Sequence, residues 1–127
     1  MVLCDTNIII ELYKGNENII SELKKIGTEN ISVSIVTSAE LIYGAINKKE
    51  LNIIRKDLES LHQINIDEQI CEIFIDLMLN YSLSHKISIP DAMIAATAIA
   101  GNLPLFTLNI KDFKYIENIK LYKPIKK

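Results

Sequence analysis

Four acidic residues lie beside apolar segments of the chain, where a buried carboxylate is costly unless it is paired or bound to a cation. They are Asp5, Glu40, Asp91 and Asp112. Asp91 shows this best, because it stands in the first turn of a predicted helix that begins with Pro90 and is otherwise almost wholly apolar. Asp5 and Asp112 follow predicted strands, and Glu40 opens the helix after another. The pattern predicts that each acid lies where a strand gives way to a helix.

The strand-to-helix junctions of a doubly wound α/β fold share one edge of the sheet, the edge at which ligands bind. Four carboxylates in a partly desolvated cleft at that edge would repel one another strongly. Mg²⁺ or Mn²⁺ would compensate the repulsion, since both prefer carboxylate oxygens, and such ions promote the hydrolysis of phosphodiesters. We therefore predict that the four acids are the catalytic and metal-binding residues of a hydrolytic site.

Neutral polar residues flank the acids and are predicted to support them by donating to carboxylate or phosphate oxygens. These supporting residues are Thr6, Asn7, Ser38, Thr107 and Asn109.

The alternative is that the acids only begin helices. Asp5 would then be an N-cap, and the residues from Thr37 to Glu40 would form a capping box. Asp91 and Asp112 would lie in first turns, where a negative charge is favourable. Taken one at a time, the residues leave both interpretations open.

The elements that must position these residues alternate as in a parallel sheet covered by helices. Strands are predicted over residues 2–4, 31–36, 64–66 and 105–108, with a last edge strand over 119–122. Helices are predicted over residues 8–13, 17–26, 37–48, 51–61 and 68–84, then from Pro90 to Gly101, with a short turn or helix at Asp112. The sequence predicts a single domain over residues 1–127.

The composition of the chain excludes some classes of function and predicts its cellular compartment. A formal charge of −2 excludes a uniformly basic nucleic-acid binder. Cys4 and Cys71 lie far apart in apolar segments, so both are predicted to be buried thiols in a reducing compartment. The N-terminus does not resemble a signal peptide and no apolar stretch could cross a bilayer, which predicts a cytoplasmic protein.

Other chemistries fit the sequence poorly. His62 and His85 have no neighbouring nucleophile motif, and the four glycines are isolated, so no phosphate-binding loop is predicted. The few aromatic residues follow helical spacing and are predicted to be core residues instead of a base-stacking platform. Lysine-rich pairs are interpreted as solvated helix faces or, alternatively, as a basic rim that guides RNA.

Four segments together resemble the motifs of PIN-domain ribonucleases, most of all the toxin subunits of VapBC toxin–antitoxin pairs. The segments are residues 5–7, 34–41 with Gly44, 90–96 and 107–113, and they span nearly the whole chain in order. The resemblance implies a three-layer α/β/α sandwich around a central, mostly parallel sheet. It also implies Mg²⁺- or Mn²⁺-dependent cleavage of RNA by Asp5, Glu40, Asp91 and Asp112.

The resemblance further implies a homodimer and a small cognate antitoxin whose tail occupies the cleft. Three alternatives stand beside this prediction. A stand-alone PIN nuclease in RNA processing or DNA repair would keep the chemistry and lose the toxin role. A receiver-type signalling domain would need two adjacent acids after the first strand. This chain has only Asp5 there, because the next residues are Thr6 and Asn7. A binding module would use the acids only as caps.

Overall fold

A parallel four-stranded sheet forms the centre of the protein. The structure, a computed structural model, describes residues 1–124. Strands β1 (Val2–Cys4), β2 (Ile31–Ser34), β3 (His62–Ile64) and β4 (Leu105–Phe106) lie in the order β3-β2-β1-β4, and every pair is parallel. The central β1 is fully buried, as expected of an all-apolar strand covered on both faces.

Six helices of residues 1–124 cover the sheet. They are α1 (Thr6–Tyr13), α2 (Glu17–Ile26), α3 (Ile35–Tyr43), α4 (Lys48–Ser60), α5 (Glu68–Tyr81) and α6 (Ile89–Ala100), with short 3₁₀ turns at Thr28–Asn30 and Ile110–Asp112. Side chains of neighbouring strand residues alternate between the faces, so Leu3 enters one core cluster while Cys4 enters the other. Helices α5 and α6 pack on the Leu3 face, and α1, α2 and α4 pack on the Cys4 face. The predicted α/β/α sandwich is confirmed.

Two boundaries near the second strand were predicted wrongly. The strand was expected over residues 31–36, but β2 ends at Ser34 because the Ser34 hydroxyl accepts a hydrogen bond from the Thr37 amide and starts α3 at Ile35. The following helix was expected to reach residue 48. It ends at Tyr43, and the Asn47 side chain caps a separate helix, α4.

Predictions elsewhere in the chain also need correction. The third strand was expected over residues 64–66 and is His62–Ile64. The edge strand expected over 119–122 is a single bridge between Leu121 and Leu105. Cys71 was expected to be buried, and only Cys4 is, because Cys71 lies on the outer face of α5. Among the described residues, no helix combines the length and the apolar character that crossing a membrane requires.

Candidate active site

Asp5 is the most buried of the four acids, with 5% of its surface exposed. It follows β1 directly and caps α1, where the Thr6 amide donates to Oδ1 at 2.8 Å. The hydroxyl of Thr107, which follows β4, donates to Oδ2 at 2.8 Å. Because β1 and β4 are neighbours in the sheet, their parallel pairing places Thr107 beside Asp5. Both oxygens of the carboxylate are thereby fixed in direction.

Glu40 lies in the second turn of α3 and is exposed to solvent. The Thr6 hydroxyl donates to its Oε1 at 2.6 Å and also lies 3.0 Å from the Thr37 hydroxyl. Thr6 therefore joins the two acids, with its amide on Asp5 and its hydroxyl on Glu40. The alternative capping box does not form, because the residue that caps α3 is Ser34.

Asp91 is half-buried at the third position of α6, which Ser88 caps by accepting from the Asp91 amide at 3.1 Å. The prediction that each acid follows a strand is wrong for Asp91, since its helix is reached from α5 through residues 82–88. Glu40 likewise lies within its helix and does not open it. Glu40 and Asp91 therefore owe their positions to the helices that carry them and not to a strand that ends just before them.

Asp112 ends the 3₁₀ turn Ile110–Asp112 and is half-buried. This turn follows β4 after a tight connection in which the Asn109 amide donates to the Thr107 hydroxyl at 3.0 Å. Thr107 is therefore bonded both to Asp5 and to the backbone that leads to Asp112.

Electrostatic interactions connect the four carboxylates. Burial raises the pKa of Asp5, hydrogen bonds from Thr107 and Thr6 lower it, and the charges of Glu40 and Asp112 raise it again. Burial raises the pKa of Asp91 from 3.8 to about 6, and Asp5, Asp112 and Glu40 add to that rise. The charges of all three other acids therefore act on Asp91, and those of Glu40 and Asp112 act on Asp5.

No positive side chain compensates this repulsion in residues 1–124. The charged groups that act on Asp5 and Asp91 are all acidic, and the ion pairs of the described chain involve other glutamates. Such a set of oxygen donors fits a hard divalent cation. In that part of the chain no three acidic, histidine or cysteine side chains already lie close enough to form a complete ligand set. Mg²⁺ sites commonly retain several waters, so four partly separated carboxylates suit it.

The remaining predicted supporting residues have different positions. The Asn7 Oδ1 accepts from the Leu108 amide at 3.3 Å, which ties the start of α1 to the segment after β4. The Asn109 side chain is exposed and makes no capping bond. Ser38 is buried, and its hydroxyl has no hydrogen-bond partner among residues 1–124. No hydrogen bond among residues 1–124 therefore supports the predicted role of Ser38 as a donor to the acids.

Two features near the acids were not predicted from the sequence. The hydroxyls of Ser34 and Thr37 extend a chain that passes through the predicted Thr6 to Glu40. The three aromatic rings of Tyr81, His85 and Tyr115 pack together close to Asp91 and Asp112. The hydroxyls could have been found from the helix-capping pattern around Ser34; the aromatic cluster joins distant segments and gives no local signal.

The chain has clear relatives. The model of the PIN domain family matches residues 2–118. Ribonuclease VapC1 of Methanocaldococcus jannaschii is 32% identical over 127 residues, which covers 95% of this chain and 86% of that protein. Toxin FitB of Neisseria gonorrhoeae is 28% identical, with 98% of each chain covered. In a solved toxin–antitoxin complex from Klebsiella pneumoniae, one chain is 32% identical and superposes with a TM-score of 0.81, covering 98% of this chain and all of that one.

Proposed function

Because the chain belongs to the PIN domain family, we propose that it is an endoribonuclease that uses Mg²⁺ or Mn²⁺. The observation that supports the proposal is that the charges acting on Asp5 and Asp91 all come from other acids of the set, with no positive side chain among them. A fold gains no stability from such a cluster. The cluster has a function if it binds a divalent cation and, with that cation, a phosphodiester.

Each acid has a part in this proposal. Asp5, Glu40 and Asp91 would hold the cation, directly or through water, and Asp112 would complete the site. When bound, a divalent cation neutralises charge that develops on the phosphate and makes a water more acidic. Thr6 and Thr107 fix the directions of the carboxylate oxygens through their hydrogen bonds to Asp5 and Glu40, so the oxygens need not reorganise when the cation arrives.

The proposed biological role is that of a toxin. Two relatives are named a VapC ribonuclease and a toxin, and the Klebsiella pneumoniae structure is a toxin–antitoxin complex. We therefore expect a homodimer of this chain and a small antitoxin that inhibits it. Expression of the chain in bacteria should arrest growth, and co-expression of a small protein encoded beside it should relieve the arrest. Growth unaffected by an active, folded protein would contradict the toxin role and leave the nuclease untouched.

The nuclease itself is tested by incubating purified protein with total RNA in Mg²⁺, Mn²⁺ or chelator. The matched variants are Asp5→Asn, which removes one charge of the site, and Asp76→Asn, which alters an exposed acid on the outer face of α5. We expect metal-dependent cleavage by the wild type and by Asp76→Asn, and none by Asp5→Asn. Full activity of a folded Asp5→Asn variant would overturn the proposal.

A further inference from the structure

Three aromatic side chains form a compact stack near the acids. The rings of His85 and Tyr115 lie almost parallel, with centroids 3.9 Å apart and planes 6° from each other. Tyr81 meets Tyr115 edge-on at 5.1 Å and His85 edge-on at 5.7 Å. Tyr81 ends α5, His85 lies in the 82–88 connection, and Tyr115 follows the 3₁₀ turn that contains Asp112.

Two members of the stack lie close in the chain to acids of the candidate active site. The connection that carries His85 runs into Ser88, the residue that caps the helix of Asp91. Tyr115 is three residues beyond Asp112. The pKa of Tyr115 is raised first by burial and then by the charges of Asp91 and Asp112, which places the ring within electrostatic reach of both carboxylates.

One side of the stack is anchored in the protein and the other is exposed. Tyr81 and Tyr115 are half-buried and pack against the core cluster of α5 and α6. The Tyr81 hydroxyl accepts from the Glu117 amide at 3.1 Å. His85 is exposed, so Tyr115 covers one face of its ring while solvent reaches the remainder. The Ser84 hydroxyl lies 2.8 Å from His85 Nδ1 and helps to hold the ring.

A structural role accounts for Tyr81 and Tyr115, which tie α5 to the segment after Asp112. It does not account for a third ring added at the solvent side. Single-stranded RNA is commonly bound by aromatic and histidine rings that stack on its unpaired bases. An imidazole already fixed in orientation loses little freedom when a base stacks on it.

We propose that the exposed face of the His85 ring stacks on a nucleobase of the RNA that lies near the scissile phosphodiester, with Tyr115 and Tyr81 holding the imidazole in place. This inference rests on the proposed ribonuclease function and adds a binding site for the substrate. His85 touches the base and not the reacting phosphate, so it acts in RNA binding and positioning.

The test measures binding without cleavage. Single-stranded oligoribonucleotides are titrated against protein that carries Asp5→Asn, with His85→Ala, His85→Phe or His62→Ala added. His62 is the matched control, because it is also an exposed histidine but lies on β3, at the far edge of the sheet from β4. A second series of oligonucleotides carries one abasic site at each successive position.

We expect His85→Ala to weaken binding on the order of tenfold, the effect typical of losing one stacked base. His85→Phe and His62→Ala should bind within about twofold of the parent, since phenylalanine also stacks. The loss should vanish for one abasic position, because a double-mutant cycle couples only groups that interact.

Unchanged binding by His85→Ala would overturn the proposal. So would a loss that persists at every abasic position, because that result means that the ring only supports the fold. Wild-type cleavage of the same oligonucleotide in Mn²⁺ is measured in parallel. Its absence would refute the proposed ribonuclease, whereas cleavage combined with either negative binding result refutes the stacking site alone.

Discussion

Replacing Asp91 by asparagine should stabilise the metal-free protein at neutral pH. The Asp91 carboxyl is half-buried among three other acids, and its pKa is raised to about 6. Since the same group titrates near 3.8 when it is unperturbed, the folded protein binds this proton more tightly than the unfolded chain does. The ionised carboxylate therefore lowers the free energy of unfolding at pH 7.

The magnitude follows from the size of the pKa shift. One pKa unit corresponds to about 1.4 kcal/mol, so the upper bound is about 3 kcal/mol. The side chain is partly exposed, so water screens its charge, which reduces the expected gain to about 1 kcal/mol. For a chain of this length that gain raises the Tm by about 4 °C. Asparagine keeps the backbone bond between the Asp91 amide and the Ser88 hydroxyl.

The effect must depend on pH in a defined direction. For a carboxyl whose pKa is raised by folding, the destabilisation is absent below about pH 4 and complete above about pH 6. Wild type and Asp91→Asn should therefore be equally stable near pH 3.5 and differ by the full amount at pH 7.5.

The assay is urea denaturation in the presence of chelator at several pH values. Asp76→Asn, at an exposed site, should stay within about 0.5 kcal/mol of wild type throughout. Addition of Mn²⁺ should then stabilise the wild type more than Asp91→Asn, because a ligand of the native state shifts the unfolding equilibrium by mass action. An Asp91→Asn protein that is less stable at pH 7.5, or a difference that does not change with pH, would refute the reasoning.

Further predictions concern the surroundings of the site and the core. Thr107→Val removes the hydroxyl that donates to Asp5, and the rate of RNA cleavage should fall about tenfold. The acid limb of the pH–rate profile should move to higher pH, because the lost hydrogen bond holds the pKa of Asp5 down. The buried Cys4 thiol, whose pKa is raised to about 12, should resist thiol reagents in the native protein. The exposed Cys71 should react, so native and denatured protein should give one and two modified thiols by mass spectrometry. Phe113→Ala empties a fully buried position and should lower the free energy of unfolding by about 3–5 kcal/mol; a loss below 1 kcal/mol would contradict the described packing.

The architecture could be predicted from the sequence because its central strands carry a strong pattern. A short apolar run such as residues 2–4 has to be buried on both faces, and the intervening helical periods leave the parallel sheet as the consistent arrangement. The end of β2 could not be placed by the same pattern. Ile35 and Val36 favour a strand by type, but the hydrogen bond from the Thr37 amide to Ser34 turns them into a helix.

The candidate site could also be predicted only in part from the sequence. The residue types that could form a cation site were evident, and so were the neighbours Thr6 and Thr107, which bond to the acids. The prediction for Asp91 rested on a wrong premise, because the element directly before its helix is α5 and not a strand. The spacing of residues within single elements could not predict the stacking of His85 on Tyr115, because that contact joins segments 30 residues apart.

Locating a bound divalent cation tests most directly whether the four acids form a cation site. Crystals of the protein soaked in Mn²⁺ should give an anomalous scattering peak among Asp5, Glu40, Asp91 and Asp112, and crystals of Asp5→Asn should lose or weaken it. Manganese peaks that lie only elsewhere, or an equally strong peak in the variant, would contradict the account of this site.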